Sequence, residues 1–152
     1  MRIIGLDYGD KTVGVALSDE LYMTAQPLKT IFRDRTNKLR RTYAEIERII
    51  KEYKVEKVVI GLPKKMNNEE GEMCEKVRAF GADVARRTGL PVEYVDERLT
   101  THSADEVLEE GNVKKERRKH YIDKIAASLI LKTYLDSLET AKTAEGTESD
   151  EG

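Results

Sequence analysis

Cysteine and histidine are scarce in this chain of 152 residues, and their scarcity argues against two classes of protein. The single cysteine, Cys74, cannot form an intramolecular disulfide, and a chain of this length buries about two-thirds of its unfolded surface without such cross-links. The two histidines, His102 and His120, form no sequence cluster with it. Because zinc sites need several cysteine or histidine ligands, neither a disulfide-stabilised fold nor a zinc site is expected.

Long apolar runs and an N-terminal leader are also lacking. No run approaches the roughly 20 apolar residues that are needed to span a bilayer. The first apolar segment begins almost at Met1, so no basic and then apolar leader precedes it. We therefore expect a cytoplasmic protein without a membrane partner, and the lone cysteine agrees with that compartment.

The chain lacks a large net charge of either sign, but its charged residues are unevenly distributed. The formal net charge is −2, and the last fourteen residues, 139–152, hold five acids against one base. The preceding 138 residues hold 26 bases and 24 acids. We predict that residues 1–138 form one domain and that 139–152, which has almost no apolar residues, is an acidic, disordered tail.

A basic run lies between residues 114 and 120, where the sequence reads KKERRKH. Its lysines and arginines are Lys114, Lys115, Arg117, Arg118 and Lys119. A local cluster of positive charge favours a polyanionic partner such as nucleic acid more strongly than the net charge does. An ordinary solvated turn stays open as the alternative.

The apolar pattern predicts the order βββαβαβαα. Alternating or continuous apolar runs predict strands at 3–6, 13–17, 27–32, 55–62 and 91–95. Apolar residues at steps of three and four predict helices at 37–53, 73–84, 104–111 and 122–135, with Gly89 as the predicted stop of the second. The first two strands are expected to form a hairpin, with Gly9 available for positive φ. Helical crossovers join parallel strands, so we predict an α/β fold with a five-stranded mixed sheet, three antiparallel strands and then two parallel ones, flanked by helices.

Carboxylates stand at the ends of three predicted elements. Asp7 ends the first strand, Asp96 and Glu97 end the fifth, and Asp123 lies at the start of the last helix. If strands one, four and five are neighbours, these ends meet at one edge of the sheet, where the last helix brings Asp123 within reach. Converging carboxylate oxygens suit Mg²⁺ or Mn²⁺. Two such ions could orient a water and stabilise the leaving oxygen of a phosphodiester.

Each acid also has a purely structural interpretation. Asp7 could cap its turn, and Asp123 could complement the dipole of its helix. Asp96 could form an exposed ion pair with Arg98, which would contribute little to stability. These alternatives stay open for each residue taken singly.

Four segments resemble the motif blocks of a known family. They are GLDYGDKTVGVALSD at 5–19, VVIGLPKKMN at 58–67, VDERLTT at 95–101 and YIDKIAASLIL at 121–131. In this order and spacing they resemble the YqgF/RuvX family, bacterial proteins with a ribonuclease H-like fold. That family is described as Holliday junction resolvase-like and as nucleases that mature the 5′ end of the 16S ribosomal RNA precursor.

The resemblance implies roles for individual residues. Asp7, Glu97 and Asp123 become the catalytic acids and the ligands of Mg²⁺ or Mn²⁺, with Asp96 as the alternative to Glu97. Two departures concern loops: Asp10 stands where the family commonly has threonine, and the usual Asn-Gly after the second block is stretched to residues 67–71.

The resemblance implies a divalent-metal-dependent endonuclease that hydrolyses structured nucleic acid, with 16S precursor RNA as the favoured substrate and the ribosome precursor as a partner. Lys11, Lys64, Arg98 and the basic run would bind the nucleic acid, largely without sequence preference. A Holliday junction resolvase and a non-catalytic ribosome-assembly factor stay open, as does the oligomeric state. A kinase or ATPase of the actin type is disfavoured, because the chain has one such domain and no second phosphate loop.

Overall fold

The computed structural model describes residues 1–9, 11–33, 39–63, 71–96 and 123–139. Its elements in chain order are β1 (Arg2–Tyr8), β2 (Thr12–Ser18), β3 (Ala25–Phe32), α1 (Arg40–Tyr53), β4 (Val55–Leu62), α2 (Glu72–Thr88) and β5 (Val92–Asp96), followed by a helix at 123–139 that we call α3. The predicted helix at 104–111 and residues 140–152 of the predicted tail lie outside the described residues, whereas Glu139, the first residue of that tail, is the last residue described in α3. Among those described, no helix is both long and apolar enough to cross a membrane.

One five-stranded sheet has the order β3-β2-β1-β4-β5. β1 pairs with β2, and β2 with β3, in antiparallel fashion, whereas β1–β4 and β4–β5 are parallel. The predicted mixed sheet is therefore confirmed. Because β1, β4 and β5 run in the same direction, their carboxyl ends lie at one edge, where open α/β sheets place their sites.

Among the described residues, the larger core lies on the α1/α2 face of the sheet. Residues of α1 at steps of three and four, including Ile46 and Ile49, are buried against it. Phe80 of α2 lies at its centre, with ring centroids 4.7 Å from Tyr8 and 5.6 Å from Tyr43. Cys74 of α2 is fully buried, as expected of a packing residue.

The α3 face of the sheet has a smaller core of its own. Ile3, Ala16 and Val59 pack there against Ala127 and Leu131 of α3. The helix lies very close to the strands at Gly5, where an added Cβ would fall 2.8 Å from Cβ of Leu131 and 2.9 Å from the carbonyl oxygen of Ala127. Any side chain at Gly5 would therefore push α3 away from the sheet.

Two glycines at element ends differ in their constraints. The predicted stop at Gly89 is confirmed: its φ is +71° and its N–H donates to the carbonyl of Ala85 at 2.8 Å, which closes α2. The β1–β2 hairpin is also confirmed, but Gly9 does not use a positive φ. Its N–H donates to the Thr12 carbonyl at 2.9 Å, and a Cβ there would lie 3.2 Å from that oxygen, so space rather than φ favours glycine.

Candidate active site

Asp7 lies on the α3 face, near the carboxyl end of β1. Its neighbours Leu6 and Tyr8 belong to the core under α1 and α2, whereas Ile3 packs against α3. Since side chains alternate along a strand, Asp7 projects to the same face as Ile3 and Gly5. The carboxylate is half-buried and stands opposite Gly14 of β2.

Asp123 is the first described residue of α3 and belongs to the stripe of that helix which faces the sheet. Ala127 and Leu131 follow it at steps of four and are fully buried against β1 and β2. Residues four apart lie one above the other on a helix, so Asp123 points the same way, one turn beyond Ala127. The predicted approach of Asp123 to the strand ends is therefore observed.

Gly14 brings the two acids together. A Cβ at Gly14 would fall 1.9 Å from the carbonyl oxygen of Asp123, so no other residue fits there without moving α3. Gly14 is also the direct cross-strand partner of Asp7, and such partners lie about 4.5–5.5 Å apart. Asp7 and Asp123 thus flank one glycine from two sides, the first within the sheet and the second above it.

Thr12 contacts the carboxylate of Asp123 directly. Its Oγ1 donates a hydrogen bond of 2.6 Å to Oδ2 of Asp123, across 111 residues of sequence. The length falls in the range of charge-assisted O–H···O⁻ bonds. An ionised carboxylate has about four lone-pair sites, so this bond leaves acceptor capacity for a cation.

Of the two acids predicted at the end of the fifth strand, the structure describes Asp96. Asp96 pairs with Leu62 of β4, which is buried in the core under α1 and α2, while its neighbour Val95 packs on the α3 side. Asp96 therefore lies on the face opposite Asp7. Glu97 lies outside the described residues. Within the described ranges, no group of three or more histidine, cysteine, aspartate or glutamate side chains is arranged to hold a metal ion.

Of the basic residues predicted to bind nucleic acid, Lys11 is described. It is exposed in the β1–β2 turn, four residues after Asp7. The remaining seven are Lys64, Arg98, Lys114, Lys115, Arg117, Arg118 and Lys119, and all lie outside the described residues.

Arg33 is a second cation at this turn, and it was not predicted from the sequence. Its Nη1 donates to the carbonyl of Gly9 at 2.5 Å, and its guanidinium lies 4.9 Å from the ring centroid of Tyr8. Its backbone N–H donates to the carbonyl of Lys11 at 2.9 Å. The available signal was the position of Arg33 directly after β3, whose antiparallel pairing with β2 brings the end of β3 beside the turn.

Thr12 and Gly14 were also missed as site residues. They stand at alternate positions of β2, on the face that Asp7 shares. The sequence carries a weak signal for this, because Gly5, Gly14 and Ala16 give β1 and β2 a run of small residues on one face only. Such a run indicates a close neighbour, but it does not say which element supplies it.

Comparison with known proteins identifies the family of the chain. The family model described as "RuvX: Holliday junction resolvase" matches residues 1–137. The chain belongs to the RuvX family. The resemblance inferred from the four motif blocks is thereby confirmed, and the match ends two residues before the start of the acidic segment.

Two curated RuvX relatives cover almost the whole chain. A protein of Agathobacter rectalis is 55% identical over 143 residues, which are 94% of this chain and 100% of the relative. A protein of Lachnospira eligens is 58% identical over 137 residues, 90% of this chain and 98% of the relative. Both carry the name "Putative pre-16S rRNA nuclease".

Solved structures support the ribonuclease H-like fold. RuvC of Thermus thermophilus, solved in complex with a Holliday junction substrate, has a TM-score of 0.57 and 18% identity, covering 86% of this chain and 91% of RuvC. A second T. thermophilus RuvC structure has a TM-score of 0.55 and 15% identity, covering 92% and 97%. At this identity the likeness concerns the fold alone.

Proposed function

We propose that this RuvX-family protein is a divalent-metal-dependent endonuclease that hydrolyses phosphodiester bonds of the 16S ribosomal RNA precursor near its 5′ end. The observation that carries the proposal is the meeting of Asp7 and Asp123 beside Gly14, at the edge where three parallel strands end. Curated relatives at 55% and 58% identity are named as nucleases of this precursor. The reaction would take place in the cytoplasm.

The donor chemistry of the site fits a hard divalent cation. Asp7 and Asp123 supply carboxylate oxygens, the ligands that Mg²⁺ and Mn²⁺ prefer. Cys74, the one cysteine or histidine among the described residues, is buried in the core on the other face of the sheet. RuvC- and RuvX-like nucleases generally depend on divalent metal ions. When bound, such a cation activates a water and stabilises the charge that develops on the cleaved phosphodiester.

Glu97 is proposed as the third acid, in preference to Asp96. Side chains of a strand alternate between faces, and Asp96 lies on the face away from Asp7. A residue next to it that continued this alternation would share the face of Asp7. The role of Asp96 as a substitute ligand is correspondingly disfavoured.

Phosphate binding is assigned to the basic residues around this edge. Lys11, exposed in the turn after Asp7, is well sited to contact a substrate phosphate. Lys64, Arg98 and the basic run at 114–119 are proposed to extend that contact along the backbone of the nucleic acid. Contacts of this kind make affinity fall with rising salt and carry little sequence preference.

A Holliday junction is the second candidate substrate. The description of the matching family model favours it. Two symmetric cuts in a junction need two active sites, so this function would require a dimer, whereas processing of one RNA end would not.

The proposal is tested with purified protein on two substrates, a 5′ fragment of the 16S precursor and a four-way DNA junction, each with Mg²⁺ or Mn²⁺. We expect metal-dependent cleavage of the RNA, and a loss of more than about a hundredfold in Asp7→Asn, since even outer partners of a metal site cost about 10–100-fold. Asp19→Asn is the matched control, because Asp19 caps the β2–β3 turn through the N–H groups of Met23 and Thr24.

Three outcomes would contradict parts of this proposal. Full activity in Asp7→Asn would remove the acid from the mechanism. Cleavage of the junction but not of the RNA would favour the resolvase. Binding of RNA without cleavage under every divalent metal tried would favour a non-catalytic ribosome-assembly factor.

A further inference from the structure

The hydroxyl of Thr12 donates a hydrogen bond to the carboxylate of Asp123. From this contact we propose that Thr12 is a positioning residue of the metal site, which fixes the orientation of the Asp123 carboxylate so that it can share a cation with Asp7. The inference rests on the proposed function, because it concerns the same site.

The direction of the hydrogen bond is settled by chemistry. An ionised aspartate has no proton to donate, so Thr12 Oγ1 is the donor and Asp123 Oδ2 the acceptor. At 2.6 Å the bond is short, as expected for a hydroxyl that donates to an anion. One oxygen of the carboxylate is thereby held towards β2.

The backbone of Thr12 is held from two sides, which makes it a firm support. Thr12 is the first residue of β2 and pairs with Phe32 of β3, while its carbonyl accepts the N–H of Gly9. A β-branched side chain is also stiff at χ1, so the hydroxyl is presented in a fixed direction. Thr12 is thus held by the sheet and in turn fixes the carboxylate of Asp123 on α3.

Aspartate needs such support because its own torsion is permissive. The χ2 torsion of aspartate is broad and roughly two-fold, so an unsupported carboxylate can turn freely about it. Loss of an outer hydrogen bond of this type costs about 10–100-fold in metal affinity or activity. The backbone position of Asp123, by contrast, is set by Gly14, where an added Cβ would meet the Asp123 carbonyl.

A pair of substitutions separates orientation from simple packing. Thr12→Val keeps the shape and the β-branch but removes the hydroxyl, whereas Thr12→Ser keeps the hydroxyl. If Thr12 only attached α3 to the sheet, both variants would alter stability without a specific effect on the cation. If it orients Asp123, Thr12→Val alone would weaken cation binding, and Thr12→Ser would restore it.

The experiment measures Mn²⁺ binding to the full chain by titration with electron paramagnetic resonance, without substrate, for wild type, Thr12→Val, Thr12→Ser and Asp7→Asn. We expect the dissociation constant to rise by about 10–100-fold in Thr12→Val and to stay within about threefold of wild type in Thr12→Ser. Metal-free urea midpoints show whether each variant is folded, and Thr12→Ala replaces Thr12→Val if the latter does not fold.

The measurements distinguish a failure of the positioning role of Thr12 from a failure of the metal site. Wild-type affinity in a folded Thr12→Val or Thr12→Ala protein would overturn the positioning role while leaving the proposed site intact. Equal losses in Thr12→Ser and Thr12→Val would also overturn it, because the hydroxyl would not be what matters. Absence of Mn²⁺ binding in wild type, or unchanged binding in Asp7→Asn, would overturn the metal site itself and this role with it.

Discussion

The two faces of the sheet are built from side chains of very different size. Under α1 and α2, large residues such as Phe80, Tyr8 and Tyr43 interlock around aromatic contacts of 4.7 and 5.6 Å. Under α3, the strands present Gly5 and Gly14, and the helix approaches until no Cβ would fit. Among the described residues, the first face holds the larger set of buried apolar side chains, whereas on the second face the helix lies closer to the strands.

This difference shows how one strand can serve stability and chemistry together. Alternation along β1 sends Leu6 and Tyr8 into the large core and sends Asp7 to the side where the helix lies close. A large residue opposite Asp7 would hold α3, and Asp123 with it, farther from the strand. The proposed site therefore depends on the glycine at 14 as well as on its two acids.

Truncation of the large core should give the largest change in stability. Phe80 is 1% exposed, so Phe80→Ala should lower the free energy of unfolding by about 3–5 kcal/mol through lost burial and a new cavity. Urea denaturation measures this loss. Mn²⁺ affinity, measured where the variant is still folded, should stay at the wild-type value; a parallel loss of affinity would show that the two faces are not separable.

A larger residue on the α3 face should have the reverse effect of Phe80→Ala, with a smaller loss of stability and a clear loss of Mn²⁺ affinity. Gly14→Ala places a Cβ against the Asp123 carbonyl, and overpacking of this type costs about 1–3 kcal/mol. Because α3 must shift to make room, we expect Mn²⁺ binding and cleavage to fall by more than about tenfold, as for a displaced ligand shell.

Gly81→Ala is the matched control for that prediction. Gly81 lies on α2, on the face of the sheet away from α3. A Cβ there would fall 2.2 Å from the hydroxyl oxygen of Tyr94 on that same face. It should alter stability without weakening Mn²⁺ binding. Equal effects of the two glycine substitutions on metal affinity would contradict the special role of Gly14.

The smallest effect is expected at the two ion pairs of Glu45 on α1, on the face of the sheet away from Asp7. Arg48 and Lys29, both within 2.7 Å of Glu45, lower the pKa of its carboxyl from 4.5 to about 2. A lowered folded-state pKa stabilises the protein above the unfolded pKa of 4.5, and the benefit is lost as the pH falls towards 2. These side chains are partly exposed, so Glu45→Gln should cost less than about 1 kcal/mol at pH 7.

The pH dependence checks this assignment. The difference in urea midpoint between wild type and Glu45→Gln should shrink as the pH falls below 4.5, and Mn²⁺-dependent cleavage at pH 7 should not change. A midpoint difference that grew at low pH would contradict the sign of the shift.

Local pattern was enough to predict the fold. β4 was predicted with its observed bounds, Val55–Leu62, because a central buried strand reads as a nearly continuous apolar run. The end of α2 followed from Gly89, whose positive φ closes the helix. The parallel and antiparallel parts of the sheet followed from whether strands are joined by turns or by helices.

The candidate site was predictable only in part. Asp7 and Asp123 were found from their places at element ends, but their common neighbour Gly14 was not, because its role depends on a helix more than a hundred residues later. The Thr12–Asp123 hydrogen bond is non-local for the same reason. The face occupied by Asp96 depends on strand register, which no short segment specifies by itself.

The most direct test of the shared carboxylate site is anomalous scattering from crystals soaked in Mn²⁺. We predict a manganese peak on the α3 face, within about 2.5 Å of a carboxylate oxygen of Asp7 and of one of Asp123, and its loss in Asp7→Asn crystals. Manganese bound elsewhere, with neither Asp7 nor Asp123 as a ligand, would contradict the site.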